Sequence, residues 1–252
     1  MLSLKSKLQN SDKRLSCAVC TIPSATVIQA LAASGLDALI IDLEHGAVDY
    51  GSAHAMIAAT AVSDCAPLVR VAQNDPAEDK RALDLGAEGI VFPLIRTAQD
   101  AADAVASLRY PPRGTRGFGP FIAQSRWNTS LPAYQRDVED GLVCCLLIET
   151  PEAVDNIGAI CATEGVDIIV LAAFDLSTTL GISGQFDHPD FIAAQTKIEA
   201  AALAAGRPLG GVALAQAQAE ALFSRGYRIV SGFDILWLRA AAAQTVQWCT
   251  SE

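Results

Sequence analysis

Six ionisable residues stand where apolar runs break off: Asp42, Glu44 and His45 in "IIDLEHG", Arg70 in "PLVRV", Glu149 in "LVCCLLIET" and Asp175 in "VLAAFDLS". A carboxylate at the edge of a hydrophobic core is costly unless a cation, a partner or water receives it. Two such carboxylates, Glu149 and Asp175, without Cys or clustered His, form a hard oxygen site that suits Mg²⁺ or Mn²⁺. Each also has a plain structural reading. Glu149 precedes Thr150-Pro151 and favours a helix N-terminus, and Asp175 caps the turn that follows. His45, three residues past Asp42, is either a solvated loop residue or a proton acceptor held in one tautomer by that carboxylate. Arg70 interrupts an apolar strand, which calls for an anion: a substrate carboxylate, an enolate oxygen, Asp42 or Glu44. On the residues alone this chemistry is a metal-assisted lyase or isomerase acting on a small oxo acid.

The elements that must position these groups are legible. Eight β-rich runs are predicted as strands: 16–21, 37–42, 67–71, 88–93, 142–148, 167–172, 209–214 and 227–232. Alanine-rich helices lie between them, several opening on Ser, Thr or Asp and closing at Gly. The runs are apolar throughout, as in a parallel sheet covered on both faces. Eight β/α units without a Gly-rich dinucleotide fingerprint favour a closed (β/α)₈ TIM barrel over an open sheet. In such a barrel the six residues gather at the C-terminal mouth. Residues 109–141 break the rhythm with a long basic stretch rich in Pro and Gly, carrying Arg116 and Arg126. A structureless loop of that length is usually functional. His54 and His188 read as surface or capping groups.

Composition bounds the rest. A chain of 252 residues, 51% hydrophobic and 18% charged, forms one domain over 1–252 with its core at about 16–243. The net charge of -10 argues against nucleic acid and anionic membranes as partners. The apolar runs are too short to span a bilayer, and the N-terminus lacks a signal-peptide core. Seven cysteines, mostly within apolar runs, read as buried thiols of a cytoplasmic protein. The lone Cys17-x-x-Cys20 pair sits in a strand and reads as core.

In order, "IIDLEHG", "VRVAQNDP", "RYPPRGTRGFGP" with "SRWN", "LIETPEAVDNI" and "VDIIVLAAFDLSTTLG" resemble the HpcH/HpaI aldolase family from about Cys17 to Ala243. The resemblance implies a class II (metal-dependent) aldolase, an aldehyde-lyase that reversibly cleaves a 4-hydroxy-2-oxo acid to pyruvate, or a related 2-oxo acid, and an aldehyde. It implies Glu149 and Asp175 as ligands of Mg²⁺, Mn²⁺ or Co²⁺, and Arg70 holding the oxo acid and steadying the enolate oxygen. His45, oriented by Asp42, would be the base through a metal-bound water. It further implies a homo-oligomer, a hexamer built as a dimer of trimers, with the C-terminal helix exchanged and Asp84 reaching a neighbouring subunit's site.

Two positions depart from the family pattern. Leu147 stands where the family usually has Gln, and Ala172-Ala173-Phe174 replaces a Gly-Pro-Ala lead into "DLS". The backbone N–H groups of Phe174 and Asp175 remain available to a substrate carboxylate, while Phe174 adds bulk and Leu147 removes an amide. These departures keep open a 2-oxo-acid decarboxylase or divergent C–C lyase on the same barrel, and a non-catalytic oxo-acid-binding barrel.

Overall fold

All eight expected strands form in the computed structural model, which describes residues 3–10 and 13–250. They are β1 (Leu15–Cys20), β2 (Ala38–Asp42), β3 (Ala66–Arg70), β4 (Gly89–Phe92), β5 (Val143–Ile148), β6 (Ile168–Leu171), β7 (Leu209–Val212) and β8 (Tyr227–Phe233). Every neighbouring pair is parallel, and β8 closes on β1 with Leu15 opposite Ile229 and Val19 opposite Phe233. The molecule is a single-domain (β/α)₈ barrel.

Successive side chains of a strand point to opposite faces. One set fills the barrel: Leu15, Cys17 and Val19 of β1 pack with Ala38, Ile40, Leu68, Val91, Val143 and Cys145. The other set, including Cys20, Leu39, Ile41, Val69, Phe92 and Ile148, packs beneath the surrounding helices. Both faces are therefore buried, which explains runs with no polar alternation. Burial lifts the Cys17 thiol to about 12 and raises Cys20 as well, so neither carries a reactive thiolate.

The same period of two positions the chemistry. Ala38 and Ile40 lead inward to Asp42, Ala66 and Leu68 to Arg70, and Val143, Cys145 and Leu147 to Glu149. The register sets Asp42 directly opposite Arg70.

The opposite rim is plugged. The helix Leu4–Gln9, capped by the Ser3 hydroxyl, inserts Leu4 and Leu8 into the barrel-filling cluster. Lys7 donates to the carbonyls of Asp37 (3.2 Å) and Asp64 (2.6 Å), and Glu88 accepts from the Leu4 N–H at 2.6 Å.

The interval 109–141 corrects the expectation of a structureless loop. It contains helices Ala123–Arg126 and Leu131–Val138 and a 3₁₀ turn Glu139–Gly141. It is stitched by Arg113 to Glu139 at 2.9 Å, and Arg116 is buried against the Tyr110 and Tyr134 rings. Arg126 lies against Trp127 and donates to Thr60, so both arginines are structural.

Candidate active site

The barrel mouth is organised around one buried ion pair. Asp42 is fully buried and receives Arg70 through two hydrogen bonds, Nε to Oδ1 at 2.8 Å and Nη2 to Oδ2 at 2.6 Å. Burial alone would raise the Asp42 carboxyl, but the Arg70 hydrogen bonds and charge outweigh it and hold the carboxyl below its usual range. Asp42 Oδ1 also accepts from the backbone N–H of Glu44 (3.1 Å) and His45 (3.2 Å). The chain turns sharply there, and a Cβ at Gly46 would stand 2.3 Å from the Asp42 carbonyl oxygen, so only glycine fits.

That geometry corrects one expectation. Asp42 does not hold the His45 imidazole; it holds the loop that carries it. The ring is largely exposed, and the carboxylate beside it is that of Glu44, 3.7 Å from Nε2. Glu44 Oε2 also lies 3.4 Å from Arg70 Nε, yet it is buried and makes no hydrogen bond. Burial raises the Glu44 carboxyl; Arg70 and His45 oppose this, and Asp42 and Asp175 add to it.

Glu149 is 4% exposed and accepts from the Leu94 N–H at 2.7 Å. Burial pushes its carboxyl up to about 7, an effect the Leu94 bond reduces and the charges of Glu44 and Asp175 reinforce. Leu94 has φ 56°, a left-handed backbone that aims its N–H at this oxygen. Leu94 is not legible in the sequence, and Glu44 is legible there only as a candidate anion for Arg70; the Pro93-Leu94 step after β4 is the one hint of an irregular strand end. Asp175 lies exposed in the first turn of the helix Ala173–Thr179, whose N-cap, Ala172, offers no capping side chain.

Arg70, Leu147, Phe174 and Asp175 line one cavity of about 600 Å³ that opens from the mouth. Leu147 is buried in its wall, and Phe174 is exposed with its ring edge-on to Phe186 at 5.0 Å. No residue of 109–141 lines this cavity. Asp84, by contrast, ends the helix Pro76–Asp84 and pairs with Arg116 at 2.9 Å, apart from the groups at the mouth.

Among the described residues Asp42, Glu44, Glu149 and Asp175 thus act on one another or on the Arg70 guanidinium, and one buried oxygen of this group, Glu44 Oε2, is unpartnered. Among the described residues no group of three or more His, Cys, Asp or Glu is spaced to hold an ion alone. Two carboxylates completed by substrate and water suit Mg²⁺, which keeps much of its shell. The donor set fits a hard divalent cation.

Comparisons with known proteins identify the family. The chain is 38% identical over 218 residues to a hydroxypyruvate/pyruvate aldolase of Chromohalobacter salexigens, covering 86% of this chain and 85% of that one. It is 36% identical over 217 residues to a 4-hydroxy-2-oxo-heptane-1,7-dioate aldolase of Salmonella arizonae, covering 84% and 81%. The crystal structure of an HpcH/HpaI aldolase/citrate lyase family protein from Burkholderia cenocepacia superposes with a TM-score of 0.92 at 32% identity, covering 100% of both chains. With the family model matched over residues 20–241, the chain belongs to the HpcH/HpaI aldolase/citrate lyase family.

Proposed function

We propose that this family member is a divalent-cation-dependent aldolase that cleaves a 4-hydroxy-2-oxo acid to pyruvate, or a related 2-oxo acid, and an aldehyde. The observation that carries the reading is the surplus of negative charge at the mouth: Glu44, Glu149 and Asp175 beside a guanidinium already committed to Asp42. The names of the relatives point the same way.

In this reading Glu149 and Asp175 hold the cation, with Mg²⁺, Mn²⁺ and Co²⁺ as the candidates. When bound, it supplies fixed positive charge where the keto oxygen of the oxo acid gains electrons. Arg70 adds a second positive charge, and Asp42 fixes the guanidinium plane so that little reorganisation is needed. Uncapped N–H groups at Phe174 and Asp175 receive the substrate carboxylate, and Leu147 packs against the methyl side of the donor. His45 and Glu44 form the proton-moving pair, the imidazole taking the proton and the carboxylate steadying the cation that results.

The subunit also has an uncovered face. Within the described part of the helix Asp234–Thr250 only Asp234 is buried, and Leu238, Val246 and Trp248 are 59%, 62% and 70% exposed. Such a surface is costly for a monomer, which supports a homo-oligomer with exchanged C-terminal helices. In that assembly Asp84 meets a neighbour's site.

Exchange of the pyruvate methyl protons with D₂O tests the chemistry. Dialysis against EDTA is expected to stop exchange, and Mg²⁺, Mn²⁺ or Co²⁺ to restore it. Absence of exchange with all three would overturn the proposal.

A further inference from the structure

The mouth cavity is lined by two kinds of surface. Arg70 and Asp175 share it with a set of apolar side chains. Phe174 and Phe186 are 56% and 37% exposed, and Leu214, two residues past β7 and also in the lining, is 52% exposed. Phe186 in turn packs on Phe191, with ring centroids 5.3 Å apart. Side chains of this size left open beside a catalytic mouth present a surface for apolar ligand atoms.

The charges along the wall sharpen this. Two cations line the cavity among the described residues, and both are already spent. Arg70 is bound to Asp42, and Arg225 is held by both oxygens of Glu199 at 2.8 and 2.7 Å. The acids that line it, Asp175 and Asp187, include one beside the aromatic wall. A second carboxylate on the substrate would find no unpaired cation there and would face Asp187. Of the uncharged polar groups in the lining, Gln218 accepts from the Leu214 N–H at 2.8 Å through its amide oxygen, and Gln195 donates to Tyr227.

We propose that Phe174 and Phe186 make this site selective for an uncharged aldehyde bearing an apolar chain or ring, against one bearing a second carboxylate. The inference rests on the aldolase reading above and specifies its acceptor. In cleavage the C3–C4 bond breaks and its electron pair stays with C3 of the oxo-acid fragment, which then takes up a proton. The 4-hydroxyl proton passes to a mouth base as the aldehyde carbonyl forms, and the released apolar group is the part seated on the phenyl rings.

The test is the aldol addition of pyruvate, with Mg²⁺ or Mn²⁺ present, to hexanal and to succinic semialdehyde, which have equal numbers of non-hydrogen atoms. The kcat/KM for hexanal is expected to exceed that for the semialdehyde by about ten-fold or more, within the range an apolar pocket discriminates. Phe186→Ala and, separately, Phe174→Ala are expected to pull that ratio toward one. A wild-type ratio at or below one, with pyruvate exchange in D₂O intact, overturns the selectivity and spares the aldolase reading. A wild-type ratio that both variants preserve overturns the assignment to these rings. No exchange overturns both readings.

Discussion

Glu88 and Glu149 are the same residue type at opposite rims of one barrel, and their surroundings differ in a telling way. Both are nearly buried, and each accepts one backbone N–H, from Leu4 and Leu94 respectively. Burial raises both carboxyls. Around Glu88 the remaining charges are cations, Arg126 and Lys7, which oppose that rise. Around Glu149 they are mainly acids, Glu44 and Asp175. The bottom rim is electrostatically finished: Lys7 and Lys13 close on Asp37, and Lys5 closes on Asp167. At the top rim Arg70 is already bound to Asp42, and among the described residues neither Glu149 nor Asp175 has a salt bridge. That imbalance between the two rims is what the proposed cation site at the mouth would answer.

The largest effects should fall on the unbalanced side. Glu149→Gln and Asp175→Asn are each expected to lower kcat for aldol cleavage at least ~10³-fold with the barrel intact by circular dichroism. Residual activity near wild type in either would break the contrast. Arg70→Ala should lower kcat/KM by about 10²-fold or more and also destabilise by ~3–5 kcal/mol, because Asp42 is left buried without its cation. Urea unfolding read beside steady-state kinetics checks both parts, and a loss of activity with no loss of stability would contradict the buried pair.

The bottom rim should respond in stability alone. Leu4→Ala removes a plug residue and is expected to cost about 2–4 kcal/mol in urea unfolding. Its kcat should match wild type; a fall in kcat comparable to that of Arg70→Ala would show that the two rims are not independent.

How far the sequence revealed this contrast depends on what each residue does. The strands were readable because both faces are buried, and the mouth groups because they end runs such as "LVCCLLIE" on an inward position. Arg70's partner was not readable: Asp42 and Glu44 both lie within reach along the chain, and only the β2–β3 register selects Asp42. The link from Asp42 to His45 runs through backbone N–H groups, which side-chain types do not announce. Leu94 contributes a backbone N–H aimed by a left-handed conformation, again invisible in residue type. The N-terminal plug escaped notice because six residues of "LKSKLQ" carry too short a pattern to stand out. The ordered packing within 109–141 depends on Arg116 finding Tyr110, Tyr134 and Asp84, contacts that cross from one element to another.

A smaller effect belongs to neither rim. Asp79 is fully buried on the helix Pro76–Asp84, and neither of its oxygens has a hydrogen-bond partner among the described residues. Burial lifts its carboxyl to about 7, partly offset by the nearby Ser107. The folded state therefore holds a proton that the unfolded chain releases above its ordinary value of 3.8. Stability attributable to this group is greatest below that value and is lost as pH rises toward 7. Asp79→Asn is expected to stabilise at pH 8 by ~1–3 kcal/mol relative to wild type and by less at pH 5. Equal effects at the two pH values would show that Asp79 does not titrate in this way.

Direct binding of Mn²⁺, followed by the loss of its free electron paramagnetic resonance signal, tests the central claim that the surplus acids at the mouth hold a dication. One bound ion per chain is expected in the wild type and in Glu88→Gln, and none in Glu149→Gln or Asp175→Asn. Binding that survives in both mouth variants, or that is lost in Glu88→Gln while they retain it, would contradict it.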